Sequence, residues 1–131
     1  MRRAAGLLIR SQHGRYLLLL RSNEVNDPGV WATPGGRVES GEDPLAAATR
    51  EADEEIGVWR LRVFTQPIFI WRASGFEYWT FLASSFDGEF QPVLNWENDS
   101  YIWVTKNIVL SGEITGRWVH PGVVRAVGNA P

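Results

Sequence analysis

Carboxylate side chains are concentrated in one short stretch of the chain. Seven of the fifteen acidic residues lie between Gly36 and Val58, namely Glu39, Glu42, Asp43, Glu51, Asp53, Glu54 and Glu55. The formal net charge of the whole chain is only -2, so this density is local. Magnesium and manganese ions prefer carboxylate oxygens, and magnesium keeps several waters and bridges to phosphate groups. The stretch therefore predicts a divalent-metal site suited to chemistry on phosphates.

A helix is expected to position most of these carboxylates. Asp43 followed by Pro44 is typical of a helix start, and Gly57 is typical of a helix end. Apolar residues at spacings of three and four share one face that can pack on a sheet: Leu45, Ala48, Ala52 and Ile56. The adjoining face carries three carboxylates: Glu51, Glu54 and Glu55.

A solvated acidic helix is the alternative interpretation. Arg50 and Glu54 would then form an ordinary ion pair one helical turn apart. Glu51 and Glu55 also stand one turn apart, and like charges at this spacing cost roughly 0.2–0.5 kcal/mol. Arg50 neutralises only part of this charge, which favours a bound cation as the remaining compensation.

The rest of the chain shows strand and turn patterns. Two apolar runs, residues 4–9 and 16–20, are predicted to form a hairpin of buried strands at an edge of the sheet. Residues 61–71 and 78–83 are rich in β-branched and aromatic residues and predict a second hairpin. A short strand at residues 101–104 and a closing helix at residues 121–127 complete the predicted order of elements.

The spacing of fixed residues in the acidic stretch resembles the Nudix box. Gly36 is followed after five residues by Glu42, and after seven more by the run Arg50-Glu51-Ala52-Asp53-Glu54-Glu55-Ile56-Gly57-Val58. Only Ala52 is smaller than the bulky aliphatic residue usual at its position. The resemblance extends over about residues 4–127, because residues 95–97 resemble the family's later acidic loop.

This resemblance implies an α/β fold, the Nudix α/β/α sandwich with a mixed β-sheet, formed by a single domain over residues 1–131. It implies an enzyme, a pyrophosphohydrolase that uses Mg²⁺, or Mn²⁺ as a substitute, to cleave a diphosphate linkage in a nucleoside diphosphate derivative. The leading expected substrate is a canonical or modified nucleoside triphosphate, cleaved to monophosphate and pyrophosphate. A non-catalytic nucleotide-binding regulatory module is the alternative. An isoprenoid diphosphate isomerase would need a cysteine, which this chain lacks.

The resemblance also assigns roles to the residues of the acidic stretch. The expected metal ligands are the backbone carbonyl of Gly35 and three carboxylates that are also expected to be catalytic: Glu51, Glu54 and Glu55. Glu42 and Arg50 are expected to pair and to orient the loop against the helix. The general base is expected among the box glutamates or at Glu97, for which a plain exposed loop residue is the other interpretation.

Other candidate site residues lie outside the box or at its start. Arg21 and Arg37 are weaker candidates for binding substrate phosphate or base through the guanidinium fork, with a surface or structural role as the alternative. Three tryptophans are candidates for stacking on a base, although aromatic residues in strands usually belong to the core: Trp31, Trp71 and Trp79. His13 and His120 lack partners at ligand spacing and are expected to be turn or surface residues.

Composition narrows the classes of function. The absence of cysteine excludes disulfides, thiolate zinc sites and cysteine nucleophiles. The small net charge gives no reason to expect nucleic acid or an anionic membrane as a partner, and no apolar run approaches the roughly 18 residues of a membrane helix. The expected partner is a small nucleotide and the expected location is the cytoplasm, while the oligomeric state and the exact substrate stay open.

Overall fold

The two apolar runs near the start of the chain lie in the middle of a mixed β-sheet. The computed structural model describes residues 1–131. Its strands are β1 (Arg2–Arg10), β2 (Arg15–Arg21), β3 (Trp31–Ala32), β4 (Gly35–Arg37), β5 (Leu61–Ala73), β6 (Phe76–Ser85), β7 (Asn98–Thr105), β8 (Glu113–Ile114) and β9 (Arg117–Trp118). Its helices are α1 (Pro44–Ile56), α2 (Lys106–Leu110) and α3 (Pro121–Asn129). Seven strands form one sheet in the order β3-β2-β1-β6-β5, with β4 paired to β1 and β7 to β2, while β8 and β9 pair separately.

The first two strands are central, so the prediction that they form a sheet edge is wrong. β1 and β2 run antiparallel and pair at Arg10 and Tyr16. Towards its beginning β1 pairs instead with β4, and on its other side it runs parallel to β6. Both faces of β1 and β2 are covered, so their sequences show a continuous apolar run without the alternation that would reveal a neighbour.

Two hydrophobic cores lie on the two faces of this sheet. Leu7 and Ile9 of β1 point to the α1 side, where they meet the buried alanines of that helix and Ile56. Leu8 points to the opposite side, where it packs with Leu82 and the buried face of α3. Alternate residues of a strand point to opposite faces, so this division fixes the face of every other residue in β1. The layers are helix, sheet and helix, as expected.

The helix that carries the carboxylates begins and ends where the sequence predicts. The Asp43 side chain accepts a hydrogen bond from the Ala46 N–H at 2.8 Å, and Pro44 occupies the first turn. Gly57 ends the helix with φ of 87°, and its N–H donates to the Asp53 carbonyl. Three of the four residues of the predicted apolar face are buried, and the fourth, Leu45, is half-buried.

The second hairpin, the strand at residues 101–104 and the closing helix are also confirmed, with longer bounds. Five observed elements have no counterpart among the predicted ones: β3, β4, α2, β8 and β9. They have two to five residues each and are too short to show a period. None of the three helices combines the length and the apolar character that crossing a bilayer requires.

Candidate active site

Three carboxylates from two separate parts of the chain converge beside the sheet. Glu51 and Glu55 stand one turn apart on α1, and Glu97 comes from the loop before β7. One ligand oxygen of each lies within 4.8 Å of those of the other two. Carboxylate oxygens are the donors that a hard divalent cation takes, so the three side chains fit the predicted metal.

Glu55 is the most deeply buried of the three carboxylates. Its residue is only 1% exposed. One side-chain oxygen accepts a hydrogen bond from the Gly35 N–H at 2.9 Å, and the other accepts one from Asn98 Nδ2 at 2.9 Å. Burial nevertheless raises the pKa of Glu55 to about 7, against the effect of these two bonds. A cation beside this carboxylate would compensate its charge.

Glu51 lies directly beneath the strand that precedes the helix. A Cβ on Gly36 would come within 2.5 Å of the Glu51 carboxyl carbon, so only glycine fits there without displacing the carboxylate. Burial raises the pKa of Glu51, while the hydrogen bond from Arg50 at 2.9 Å acts in the opposite direction. Close approach of strand and helix thus fixes this carboxylate.

Arg50 ties α1 to the loop before it. Its Nε and Nη2 donate to the two carboxylate oxygens of Glu42 at 2.9 and 3.1 Å, a bidentate pair that lowers the pKa of Glu42. Nη2 also donates to the Arg37 carbonyl at 2.9 Å, and Nη1 donates to Glu51. The guanidinium therefore connects loop, strand and helix at the carboxylate cluster.

Glu97 is held by its own loop. The Asn95 side chain accepts a hydrogen bond from the Glu97 N–H at 3.0 Å and donates one to the Glu97 carboxylate at 3.1 Å. The Glu97 carbonyl accepts from the Ser22 N–H at 2.9 Å, which joins the loop to the end of β2. Of the three clustered carboxylates, Glu97 lines the adjoining pocket.

Two other predicted ligands lie at the margin of the cluster. Glu54 is outside the group of three, with its side chain 52% exposed and 3.3 Å from Arg50 Nη1. Gly35 donates its N–H to Glu55, and a Cβ at this position would collide with the Tyr78 hydroxyl. Burial raises the pKa of Tyr78 to about 12, so the hydroxyl stays protonated beneath the strand.

A pocket of about 940 Å³ opens next to the carboxylates, on the α3 side of the sheet. Residues paired directly across neighbouring strands share a face, so the register describes its floor. One row runs from Arg37 through Ala4 and Tyr78 to Trp71. The floor therefore has a cationic side chain at the β4 end, a small side chain at Ala4 and aromatic side chains towards the β5 end.

Only some of the arginines and tryptophans predicted to bind substrate line the pocket. Arg21 and Arg37 both line the pocket, although Arg21 also donates from Nε to the Asn26 carbonyl at 2.6 Å. Trp71 lines the pocket, whereas Trp31 is buried in the core and donates to the Ile114 carbonyl. Trp79 packs against the opposite core, on the α1 side.

Several residues of the pocket were not identified from the sequence. They are Arg2, Asn26, Asp27, Phe69, Phe76, Tyr78 and His120. The aromatic residues belong to the predicted second hairpin, but the sequence does not show which face is open. His120 was expected to be a turn or surface residue, and it caps α3 by accepting a hydrogen bond from the Gly122 N–H at 3.0 Å. Proline after His120 was a signal for this cap.

Comparison with known proteins agrees with this geometry. The NUDIX domain model matches residues 1–126. CMP-5'-(N-acetyl-N-hydroxy-3-aminopropyl)phosphonate hydrolase of Streptomyces rubellomurinus is 41% identical over 54 residues, which cover 41% of this chain and 26% of that protein. The m7GpppN-mRNA hydrolase NUDT17 of Xenopus laevis is 38% identical over 69 residues, which cover 52% of this chain and 23% of that protein. The chain thus spans about a quarter of the length of these relatives.

A solved structure extends the similarity to the whole fold. The Nudix hydrolase RenU of M. smegmatis superposes with a TM-score of 0.77 and 30% identity, covering 95% of this chain and 80% of that one. The predicted family and the predicted mixed-sheet α/β fold are both confirmed. With a matching domain model over residues 1–126 and a box that runs from Gly36 in β4 through the helix that carries Glu51 and Glu55, the chain belongs to the Nudix family.

Proposed function

We propose that this protein is a Mg²⁺-dependent hydrolase of a diphosphate linkage in a nucleotide-type small molecule, with Mn²⁺ as a substitute ion. The leading substrate is a canonical or modified nucleoside triphosphate, cleaved to monophosphate and pyrophosphate. The observation that carries the proposal is the convergence of Glu51, Glu55 and Glu97 at a pocket with both arginine and aromatic walls. We also propose that residues 1–131 form one domain and that it acts in the cytoplasm.

The residues that would hold the ion come from α1 and the strand beside it. Glu51 and Glu55 present converging oxygens, and the Gly35 carbonyl and Glu54 are the further ligands we propose. When bound, the ion would supply an acidified water and charge neutralisation for the phosphate oxygens. Arg50 would keep this arrangement rigid, since it joins Glu42 and Glu51 through one guanidinium.

Glu97 is our proposed general base. Its position among the residues that line the pocket supports this role, because a general base must reach a water beside the substrate. In this step a water oxygen forms a bond to one phosphorus, the bond from that phosphorus to the bridging oxygen breaks, and Glu97 takes the water's proton. The bridging oxygen leaves with the other phosphoryl group.

The pocket suits a molecule with a phosphate end and an aromatic end. Arg37 lies at the β4 end, near the carboxylates, and Trp71 lies three strands away in the same row. The two relatives described above are both named for nucleotide-containing substrates, a CMP phosphonate and a capped mRNA. A capped RNA therefore belongs in the test beside free nucleotides.

The test is hydrolysis of a panel of nucleoside triphosphates, sugar nucleotides, dinucleoside polyphosphates and a capped RNA, with Mg²⁺ or with a chelator. The Glu55→Gln variant is the blank, and Glu113→Gln, at an exposed position on β8, is the matched control. We expect Mg²⁺-dependent release of a nucleoside monophosphate by the wild type and the control, with loss in Glu55→Gln. If compounds bind but none is cleaved, the regulatory binding module becomes the better interpretation.

A further inference from the structure

The pocket carries two polar groups that the proposed reaction does not use, Asp27 and His120. We propose that they read the edge of a nucleobase seated against Trp71, and that the matching edge is that of guanine. This inference rests on the proposed function for the direction in which the substrate lies, with its phosphates at the carboxylates and its base at β5.

His120 presents a fixed hydrogen-bond donor. The Gly122 N–H donates to His120 Nδ1 at 3.0 Å, so Nδ1 is an acceptor and the neutral ring carries its proton on Nε2. The ring is placed by its own backbone, because the His120 N–H donates to the Trp31 carbonyl at 2.9 Å. Burial lowers the pKa of His120, which keeps the ring neutral. The Nε2–H group is therefore left for a ligand.

Asp27, on the loop after β2, presents an acceptor to the same pocket. Its φ is 53°, a left-handed conformation that is uncommon outside glycine and is often found at functional sites. Arg21 holds the loop in this shape, since its Nε donates to the Asn26 carbonyl and its own carbonyl accepts from the Gly29 N–H at 2.8 Å. The Asp27 carboxylate acts electrostatically on His120 and makes no ion pair within the protein.

Trp71 supplies an aromatic surface at the β5 end of the floor, beside His120. Its ring meets the His120 ring edge-on, with centroids 6.3 Å apart, and the Phe69 ring at 6.5 Å. The Arg125 guanidinium lies 5.4 Å from the indole centroid and helps to hold the ring in place. Aromatic surfaces bind every base by stacking, so selection among bases must come from the polar groups.

The guanine edge matches these groups in number and kind. It offers one carbonyl acceptor, O6, beside two donors, the N1–H and the 2-amino group. His120 supplies one donor for O6, and the two carboxylate oxygens of Asp27 accept from the two donors. Adenine has one exocyclic amino group on this edge and would leave an Asp27 oxygen without a partner.

The experiment compares GTP, inosine triphosphate and ATP, because inosine triphosphate differs from GTP only by the missing 2-amino group. Wild-type kcat/KM is expected to be highest for GTP and at least about tenfold lower for ATP, as the loss of matched polar contacts dictates. Equal kcat/KM for the three compounds, within about threefold, would overturn the proposal.

Two variants separate base reading from structural roles. Asp27→Asn keeps the size and tolerates the left-handed backbone, and it is expected to lower kcat/KM for GTP more than for inosine triphosphate. His120→Asn keeps an acceptor that can cap α3. It is expected to lower kcat/KM equally for GTP and inosine triphosphate and to leave kcat/KM for ATP unchanged. An equal fall in kcat/KM for all three nucleotides in both variants would mean that these residues only shape the pocket.

Binding distinguishes failure of this inference from failure of the proposed function. Calorimetric titration of the Glu97→Gln variant with GTP and ATP in the presence of Mg²⁺ does not depend on turnover. Preference for GTP without hydrolysis by the wild type would sustain guanine reading and remove the hydrolase. Hydrolysis by the wild type without preference for GTP would sustain the hydrolase and contradict guanine reading. Absence of binding by either nucleotide would also contradict guanine reading.

Discussion

Glu51, Glu55 and Glu97 lie together but differ in their surroundings. Glu55 is buried and accepts hydrogen bonds from a backbone N–H and from Asn98. Glu97 accepts a hydrogen bond from Asn95 and lines the pocket. A buried carboxylate that is already oriented on both oxygens is suited to holding an ion. A carboxylate at the pocket wall is suited to moving a proton.

Replacing Glu97 and Glu55 in turn should separate these two roles. Glu97→Gln should lower kcat roughly 10²- to 10⁴-fold, because general-base catalysis contributes about that much, and should keep the rise in Tm on adding Mg²⁺. Glu55→Gln should lose both activity and the Mg²⁺-dependent rise in Tm, since the bound ion stabilises only the folded protein. Activity assays and thermal unfolding with titrated Mg²⁺ measure both effects. Loss of the Tm response in Glu97→Gln would make Glu97 a ligand rather than the base.

The buried state of Glu55 should also appear as a pH dependence of stability. Its pKa rises from 4.5 in the unfolded chain to about 7 in the metal-free fold, so between these values the folded protein holds a proton that the unfolded chain has lost. Stability must therefore fall as the pH rises through this window, by roughly 3 kcal/mol from this group. Urea unfolding of chelator-treated protein at pH 5 and pH 8 measures the change.

The control for this dependence is Glu55→Gln, whose side chain does not titrate. Its stability should change less between pH 5 and pH 8 than that of the wild type. Added Mg²⁺ should stabilise the wild type more at pH 8, where the carboxylate is ionised, than at pH 5. Identical pH slopes in the two proteins would show that Glu55 is not the group responsible.

At the scale of elements, the site depends on how closely β4 approaches α1. Gly36 faces Glu51 with no space for a side chain, and the Arg50 guanidinium spans the same junction. The helix supplies the spacing between Glu51 and Glu55, and the strand sets the position of the whole pair against the sheet. Small displacements here are expected to affect chemistry before they affect folding.

Gly36→Ala tests this junction. The new methyl group would fall within 2.5 Å of the Glu51 carboxyl carbon, and the flexible end of that side chain would move away. We expect kcat/KM to fall by roughly 10²-fold, because a misplacement of about 1 Å costs that much, while the free energy of unfolding changes by less than about 1 kcal/mol. Kinetics and urea unfolding give the two values.

The matched control is Gly128→Ala on α3. A Cβ there would meet Leu110 Cδ2 at 3.9 Å, an ordinary contact, so activity should be unchanged. Alanine also favours a helix over glycine by roughly 1 kcal/mol. Equal activity of Gly36→Ala and Gly128→Ala would show that the approach of β4 to α1 leaves room for adjustment.

At the scale of the whole molecule, one sheet joins the two cores and the two halves of the site. Leu7 and Leu8 are adjacent in β1 and fully buried, but they belong to different cores. Glu51 and Glu55 lie with α1 on one side, and the pocket that Glu97 lines opens towards α3 on the other. The stability of both parts therefore depends on the same strand.

Leu7→Ala and Leu8→Ala should each destabilise the entire protein. Removing a buried leucine side chain costs about 2–5 kcal/mol, and each variant should show a single unfolding transition because the cores share the sheet. Circular dichroism follows the sheet and helices, and tryptophan fluorescence follows side-chain packing. Transitions at different urea concentrations by the two methods would mean that the two cores unfold separately.

The sequence by itself determined the helix and the chemistry of its carboxylates. The Asp43 cap, Pro44 and Gly57 act through the local backbone, so the bounds of α1 followed from neighbouring residues alone. The spacing of Glu42, Arg50 and the following glutamates is equally local, because residues one turn apart on a helix share a face whatever surrounds them. The family followed from the same short pattern.

Only the tertiary structure decided what stands opposite that helix. Glu97 joins Glu51 and Glu55 across some forty residues of chain, and His120 meets Trp71 across a similar distance. These contacts depend on strand order and register, and the buried strands β1 and β2 show no alternation that would specify either. Long-range pairing in the sheet, which no local pattern encodes, therefore placed the pocket and the residues that line it.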